Sequence, residues 1–265
     1  MRAVILAAGR GGRLRDVTGN WPKCMARIGD RMLIERQIRS LRACGIDAIT
    51  VVAGYRAGDV RRGCGAGVDV LVNTRHAATN SLYSLWLARD LLRDGFVVLN
   101  CDVLFHDQLL RDLLSARDED ALLMAAPRGE EYGDEEMKVR VRRGCVVDIG
   151  KNLDRAETDG ENVGIAKFGA AGACVLVEEV DALVAAGALR EWVPRAFAAF
   201  ARRRPLHVVE TRGYPWIEID FPEDYWRACA DVLPAIADVD AAADRRRATL
   251  VPARVTASGR TLHHV

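Results

Sequence analysis

The chain has 265 residues, of which half are hydrophobic and 28% are charged, and its formal net charge is +1. This composition excludes a disordered or collagen-like chain, and the even charge balance gives no basic surface for nucleic acid or anionic lipid. We therefore expect a globular protein that binds neither nucleic acid nor membranes, while a small anionic ligand stays open.

The apolar run after Met1 is interpreted as a buried first strand, residues 3–7, and not as a signal peptide. It is short, and Arg10, Arg13 and Arg15 follow it where a cleavage site would need small residues. No other apolar stretch approaches the roughly 20 residues of a membrane-spanning helix. The seven cysteines are scattered without a CxxC pair, which predicts reduced thiols in a cytoplasmic protein.

The first half of the chain alternates apolar runs with amphipathic helical patterns. One helical face spans 33–41 and stops at Gly45, and a second helix is predicted over 82–92. Strands are predicted at 3–7, 48–53, 68–72 and 96–100. Continuous apolar strands with helices between them are typical of a sheet covered on both faces. We therefore predict an α/β fold: a Rossmann-like three-layer α/β/α arrangement with a mostly parallel mixed sheet.

The second half is less regular. Strands are predicted at 122–126, 138–141, 146–149, 163–168, 173–177, 207–210 and 216–219. Helices are predicted around 180–186 and 191–203, and Pro222, at the favoured first-turn position, opens a final helix. No linker interrupts the pattern, so one domain is predicted over 1–237. The segment 238–265 lacks periodicity and is predicted to be a C-terminal tail or a subunit contact, which leaves a homodimer open.

A glycine-rich loop follows the first strand, in the segment Ala7-Ala8-Gly9-Arg10-Gly11-Gly12-Arg13-Leu14. A dinucleotide-binding fingerprint would need glycine in place of Leu14 and an acidic residue after the second strand, so a dehydrogenase fits poorly. The Walker pattern GxxxxGK[ST] is absent too. The loop's backbone amides could still approach a triphosphate closely. Three basic side chains could neutralise it: Arg10, Arg13 and Lys23.

The loop and the segments after it resemble the signature of the sugar-phosphate nucleotidyltransferase superfamily. The resemblance rests first on Leu6-Ala7-Ala8-Gly9 with Gly11, Arg13 and Leu14, then on Pro22-Lys23-Cys24-Met25 and 33–38. Within that superfamily the chain is most similar to bacterial CTP:phosphocholine cytidylyltransferases and their phosphonate relatives, through Asn73, 79–88, Asn100-Cys101-Asp102 and 216–225. The resemblance implies a Mg²⁺-dependent nucleotidyltransferase that moves CMP from CTP to a small phosphate or phosphonate acceptor and releases pyrophosphate.

The predicted catalytic residues are Lys23, Arg13, Asp102 and Asp220. Asp102 and Asp220 each lie at or just past the end of an apolar run, where a sheet of this kind places its ligand crevice, and carboxylates suit Mg²⁺. Both are predicted as metal ligands. Glu218 is ranked below Asp220, because we expect its side chain on the opposite face of the strand.

The nucleotide is expected to contact the loop and the start of the helix at 82–92. The predicted nucleotide-binding residues are Ala7, Ala8, Gly9, Gly11, Gly12, Asn80 and Ser84. Side-chain amides can read a pyrimidine edge, although Thr79 or Asn80 could equally be the helix N-cap. For the acceptor, the resemblance implies Lys138 and Lys151. A quaternary ammonium would need aromatic rings, for which Trp192 and Trp216 are predicted and Tyr132 and Tyr214 are also available.

Two rival functions stay open. A sugar-1-phosphate uridylyl- or thymidylyltransferase is disfavoured by the segment 79–88 and the short middle region. A non-catalytic nucleotide-sensing subunit is disfavoured by the joint presence of Lys23, Asp102 and Asp220. The sequence leaves the acceptor unidentified among choline phosphate, aminoethyl- and hydroxyalkyl-phosphonates and polyol phosphates.

Overall fold

Apolar runs along the chain form the strands of the main sheet, and the segments between them form helices on its two faces. The computed structural model describes residues 1–126 and 135–250, with side chains described as far as 245. Within these residues the strands are β1 (Arg2–Ala7), β2 (Arg27–Ile28), β3 (Arg31–Met32), β4 (Ile49–Ala53), β5 (Val68–Val72), β6 (Phe96–Asn100), β7 (Val103–Phe105), β8 (Ala121–Ala125), β9 (Lys138–Arg142), β10 (Cys145–Gly150), β11 (Gly160–Phe168), β12 (His207–Glu210) and β13 (Trp216–Glu218). The helices are α1 (Arg15–Thr18), α2 (Leu33–Ala43), α3 (Ala57–Cys64), α4 (Ser81–Leu87), α5 (Asp107–Ser115), α6 (Ala170–Ala185), α7 (Pro194–Ala201), α8 (Pro222–Arg227) and α9 (Leu233–Leu250).

The main sheet has a parallel half and a mixed half. Across it, β5, β4, β1 and β6 are parallel neighbours, and β11 joins β6 in the antiparallel direction. Beyond β11 lie β8, β12, β10 and β9; β12 pairs with β8 in parallel, and the other neighbours are antiparallel. The predicted three-layer α/β/α arrangement with a mixed sheet is confirmed, and each antiparallel pair of the main sheet includes a strand from the second half of the chain.

Two hydrophobic cores fill the spaces between the sheet and its helices. Ala3, Ile5 and Ala7 face one core with α2, α3 and α5, whereas Val4 and Leu6 face the other with α4, α6 and α7. This alternation is the two-residue period of a strand. Because both faces are covered, all five residues are at most 7% exposed, which explains why the run reads as continuously apolar.

The two-stranded ribbon β7–β13 brings the late part of the chain to the end of β6. Its strands are antiparallel, with Glu218 opposite Val103 and Trp216 opposite Phe105. The backbone N–H of Ile219 also donates to the carbonyl oxygen of Asp102 at 3.0 Å. The carboxyl ends of β1 and β6 therefore share one edge with the residues that follow β13.

One predicted strand is wrong, since residues 173–177 lie inside α6. The buried residues Ala173, Leu176 and Val180 are spaced three to four apart, as one face of a helix requires. A short apolar run cannot be distinguished from a buried helix segment by its pattern alone. Six further elements have no counterpart among the predicted ones: α1, β2, β3, α3, β7 and α5.

The final helices continue past the predicted domain boundary. Helix α8 begins at Pro222 as predicted, and a π-helical turn, Ala228–Val232, leads into α9. The Nε2 atom of the buried His106 lies 3.2 Å from Oδ1 of Asp240 on α9. The segment 238–265 is therefore helical as far as residue 250, and 251–265 lie outside the described residues; the division at 237 stays a prediction. None of the helices within the described residues has the length and apolar character needed to cross a bilayer.

Candidate active site

A cleft opens at the carboxyl edge of β1 and β6, where the glycine-rich loop meets the β7–β13 ribbon. Its walls also include the start of α4, residues 135–137 and the region before α7. Most of the predicted site residues line it: Ala8, Gly9, Gly11, Lys23, Asn80, Ser84, Asp102, Lys151, Trp192 and Asp220. The structure thus brings together side chains from distant parts of the sequence.

Three carboxylates converge in this cleft. One oxygen from each of Asp102, Glu218 and Asp220 lies within 4.8 Å of the other two. Asp102 lies two residues past the end of β6, and the ribbon pairing carries Glu218 and Asp220 to the same place. The expectation that Glu218 faces away from Asp220 is wrong, because residues two apart along a strand share a face.

Lys23 bridges two of these carboxylates. Its Nζ donates to Oδ2 of Asp102 at 2.9 Å and also to Oδ1 of Asp220. The side chain is only 11% exposed. Burial alone lowers the pKa of this ammonium, but the charges of Asp102 and Asp220 and the two hydrogen bonds outweigh it, so the pKa of Lys23 is raised. Lys23 is therefore a fixed positive charge at neutral pH.

The carboxylate cluster has the chemistry of a site for a hard divalent cation. The Oδ1 atom of Asp102 is buried and has no hydrogen-bond partner among the described residues. Burial, followed by the charges of Asp102 and Asp220, raises the pKa of Glu218 well above its ordinary value. Three acids therefore face one lysine, and oxygen ligands are what Mg²⁺ prefers. Asp102, Glu218 and Asp220 are the residues that could hold such an ion.

The glycine-rich loop packs directly on Lys23. Gly11 has a φ of +66°, and a Cβ atom there would lie 2.6 Å from the Cβ of Lys23. Gly54 contacts the loop from the other side, where a Cβ would lie 2.6 Å from the carbonyl oxygen of Ala8. Glycine is needed at both positions, because a side chain would displace either the loop or the lysine.

A buried asparagine organises the wall that carries Asn80 and Ser84. The Nδ2 atom of Asn73 lies 3.1 Å from the hydroxyl oxygens of both Thr79 and Ser84, and its Oδ1 accepts from the backbone N–H of Arg75 at 2.9 Å. Asn73 is 1% exposed. Asn80 is the N-cap residue of α4, and its Oδ1 accepts from the backbone N–H of Ser81 at 2.8 Å. Asn80 therefore both begins the helix and lines the cleft.

Long charged side chains cross the mouth of the cleft. The Glu135 carboxylate accepts from Arg13 at 3.0 Å and from Lys151 at 2.9 Å. Hydrogen bonds from Lys151 and Arg13 lower the pKa of Glu135 to about 2. The Lys151 ammonium also lies 4.9 Å from the ring centroid of Trp192, a cation–π contact. Arg13 thus contacts the mouth of the cleft and not the carboxylate cluster.

Several predicted site residues lie elsewhere. Lys138 is 2% exposed, and its Nζ donates to the carbonyl oxygen of Lys151 at 2.7 Å, so it supports Lys151 from behind. Trp216 is buried in the core and is not among the residues that line the cleft. Ala7 is buried beneath the loop, and Gly12 lines a second cavity on the other side of it. The Tyr214 ring stacks on His106 against the same core as Trp216, and Tyr132 lies outside the described residues.

Sequence reasoning ranked Glu218 too low and did not single out Glu135 or Asn162, although all three line the cleft. The two-residue period of a strand, correctly applied, would have placed Glu218 on the same face as Asp220. Glu135 lies three residues before Lys138 in the sequence. Its role follows only from the structure, in which its carboxylate bridges Arg13 and Lys151. Asn162 is 4% exposed, and its Oδ1 accepts from the backbone N–H of Gly164 at 3.2 Å; no motif marks it.

Transfer of a phosphoryl or nucleotidyl group depends on positioning and on neutralising charge more than on covalent help from the protein. The cleft offers a close-packed glycine-rich loop, a buried lysine and a carboxylate cluster at the crevice of a three-layer sheet, and together they define a nucleotidyltransferase. The chain belongs to the MobA-like NTP transferase domain family, whose model matches residues 3–248. The predicted superfamily resemblance is thereby confirmed.

Individual relatives agree with this class. The chain is 28% identical over 230 residues to the bifunctional IPC transferase and DIPP synthase of Aquifex aeolicus, a match that covers 85% of this chain and 50% of that protein. It is 25% identical over 185 residues to the CTP:phosphoglutamine cytidylyltransferase of Campylobacter jejuni, covering 63% of this chain and 73% of that one. The solved CTP:phosphocholine cytidylyltransferase of Streptococcus pneumoniae superposes with a TM-score of 0.70 at 25% identity, over 85% of this chain and 96% of that one. The chain thus spans half the length of the bifunctional relative.

Proposed function

We propose that the protein transfers CMP from CTP to a small phosphorylated or phosphonate acceptor, with Mg²⁺ as the metal and pyrophosphate as the second product. The observation that carries the proposal is the convergence of Asp102, Glu218 and Asp220 on Lys23, beside the glycine-rich loop. The choice of CTP is supported by the two relatives that are named as CTP-dependent cytidylyltransferases.

The chemistry is an in-line displacement. An acceptor oxygen, already anionic at neutral pH, forms a bond to the α-phosphorus while the bond from that phosphorus to the bridging oxygen of the pyrophosphate breaks. No general base is needed. Asp102, Glu218 and Asp220 hold the divalent cation, which when bound supplies positive charge against the phosphates. Lys23 donates to phosphate oxygens, and the amides of Gly9 and Gly11 approach them closely.

The two sides of the cleft divide recognition between them. Asn80 and Ser84 face the nucleotide, where amide and hydroxyl groups can read the base, and Asn73 holds the Ser84 hydroxyl. Lys151 and Trp192 face the acceptor at the mouth. A phosphate or phosphonate suits the Lys151 ammonium, and the ring of Trp192 can cover the rest of a small acceptor.

The test is pyrophosphate release with each of the four NTPs against choline phosphate, 2-aminoethylphosphonate, a hydroxyalkyl phosphonate and inositol 1-phosphate, with and without MgCl₂. We expect release with CTP, Mg²⁺ and one acceptor. The Asp220→Asn variant should lose at least about 100-fold in kcat/KM, or about 2.7 kcal/mol of transition-state stabilisation.

The matched control is Asp94→Asn, an exposed aspartate in the turn before β6, at the opposite edge of the sheet. It should leave turnover unchanged. Turnover of UTP or dTTP with a hexose 1-phosphate, in place of CTP, would replace the proposal with its nearest rival. Undiminished turnover by Asp220→Asn would refute the role of the carboxylate cluster.

A further inference from the structure

A second cavity of about 430 Å³ lies on the far side of the glycine-rich loop from the active cleft. Gly11 lines both spaces, so the loop is the wall between them. The basic side chains of the second cavity are Arg10, Arg15 and Arg56, and no carboxylate is among the described residues that line it. The chain as a whole is nearly neutral, with a net charge of +1, so this is a local concentration of positive charge.

Aromatic rings hold two of these arginines in place. The guanidinium of Arg56 lies 3.9 Å from the ring centroid of Trp21, and its Nη1 donates to the carbonyl oxygen of Asn20 at 3.2 Å. The guanidinium of Arg10 lies 5.0 Å from the ring centroid of Tyr55. Stacking fixes a guanidinium plane while leaving its N–H edge available, so less conformational entropy is lost when a ligand binds.

The charge of this cavity is only partly neutralised by the protein. Arg56 donates to Asp59, at the start of α3. Arg10 and Arg15 pair with no carboxylate in the parts of the chain that the structure describes. Guanidinium groups match phosphate oxygens two at a time, which a monatomic anion cannot exploit. The concave shape fits a small polyanion and not an extended nucleic acid.

We propose that this cavity is a second anion site, distinct from the substrate site, that binds free pyrophosphate. It stands apart from the carboxylate cluster, and Arg10, Arg15 and Arg56 belong to none of the contacts around Lys23. The physiological meaning rests on the proposed function, in which pyrophosphate is the product. Binding itself does not depend on turnover.

Calorimetric titration of sodium pyrophosphate tests the site directly. The background is Lys23→Met without divalent metal, which removes the buried ammonium beside the carboxylate cluster of the active cleft. We expect this variant to bind pyrophosphate, and the addition of Arg10→Gln with Arg15→Gln to weaken binding at least tenfold. The control pair Arg39→Gln with Arg117→Gln removes the same charge at exposed positions outside the cavity and should change nothing. Absence of binding in Lys23→Met, or binding that ignores Arg10 and Arg15, would overturn the proposal.

Inhibition kinetics give a second readout that needs no change at Lys23. If free pyrophosphate occupies the cavity, its inhibition should include a component that CTP cannot relieve, and the Arg10→Gln, Arg15→Gln variant should lose that component. Fully competitive inhibition, together with a raised KM for CTP in the variant, would place the terminal phosphates of CTP in the cavity and overturn the proposal of a separate site. An inhibition pattern and a KM that are both unchanged in the variant would refute the site. Failure of every acceptor in the turnover screen would leave the calorimetric result standing, so the two proposals fail separately.

Discussion

The two sides of the cleft are built by different means. The side proposed to bind the nucleotide, residues 6–84, consists mainly of backbone and short buried side chains around Lys23, with Asn73 only 1% exposed. The side proposed to bind the acceptor, residues 135–192, consists mainly of long side chains, and the side chain of Glu135 is 45% exposed. Buried short groups have one geometry, whereas exposed long ones can rearrange. We therefore expect the nucleotide side to fix the reaction and the acceptor side to be where specificity can change.

The largest expected effect comes from Lys23→Met, which removes the one ammonium that contacts Asp102 and Asp220. We expect kcat/KM to fall roughly 100- to 1000-fold, as when a key electrostatic donor is deleted. The uncompensated carboxylates should also lower the melting temperature without metal, and MgCl₂ should restore more stability to this variant than to the wild type. Pyrophosphate release and thermal unfolding measure the two effects. Lys151→Met, on the exposed acceptor side, is the control, and its losses of kcat/KM and of thermal stability should both be smaller. Equal losses in the two variants would contradict the difference between the two sides of the cleft.

Gly11→Ala should rank second. The new Cβ combines a strained positive φ with a 2.6 Å approach to Lys23, and a misplacement of this kind can cost about 100-fold in rate. Gly144→Ala separates the two causes, because Gly144 has a φ of +76° and nothing within 4 Å of its added Cβ. Steady-state kinetics and unfolding curves should show lost stability for both variants and lost activity for Gly11→Ala alone. Comparable activity in the two would mean that the contact with Lys23 is unimportant.

Asn73→Ala tests the buried network of the nucleotide side. It removes the shared partner of Thr79 and Ser84, and an unsatisfied buried group costs about 1–3 kcal/mol. We expect the KM for CTP to rise about tenfold, with a smaller change in the KM for the acceptor. The exposed Asn152→Ala, on the acceptor side, is the control. A larger rise in the acceptor KM than in the CTP KM would contradict this division of roles.

The smallest effect is expected from Glu135→Gln. Lys151 and Arg13 lower the pKa of Glu135 from 4.5 to about 2, so its contribution to stability is present above pH 4.5 and is lost as the pH falls toward 2. Because the pair is exposed, the loss should be only about 0.2–1 kcal/mol. Urea unfolding at pH 7 and pH 3 should show the wild type losing slightly more stability than the variant. An equal pH dependence in the two proteins would show that the bridge contributes nothing.

The same contrast explains what the sequence could predict. Continuous apolar runs predicted the parallel strands, and closely spaced glycines predicted the glycine-rich loop. The predicted catalytic residues Lys23, Asp102 and Asp220 lie together in the cleft. On the acceptor side, by contrast, Trp192 and Trp216 were chosen by residue type, and Lys138 and Lys151 through the resemblance. Trp216 and Lys138 have suitable chemistry but are buried, because an aromatic ring or a lysine stem in a strand can pack as well as bind.

Long-range pairing accounts for most of the remaining differences. Glu135 acquires its position only by meeting Arg13, 122 residues earlier, and no local pattern encodes such a contact. Helix α6 was partly read as a strand because the alanine-rich run around Ala173 is apolar on most sides, so neither period stands out. Glu218 could have been placed, since the period of two was sufficient.

The β7–β13 ribbon has a consequence for how the enzyme matures during synthesis. The strands β1, β4 and β6 come from the first hundred residues, whereas two of the three carboxylates arrive only when residues beyond 216 pair with β7. The N-terminal part of a chain leaves the ribosome first during synthesis. The scaffold can thus assemble early, yet a nascent chain stays inert until nearly its last strand has docked.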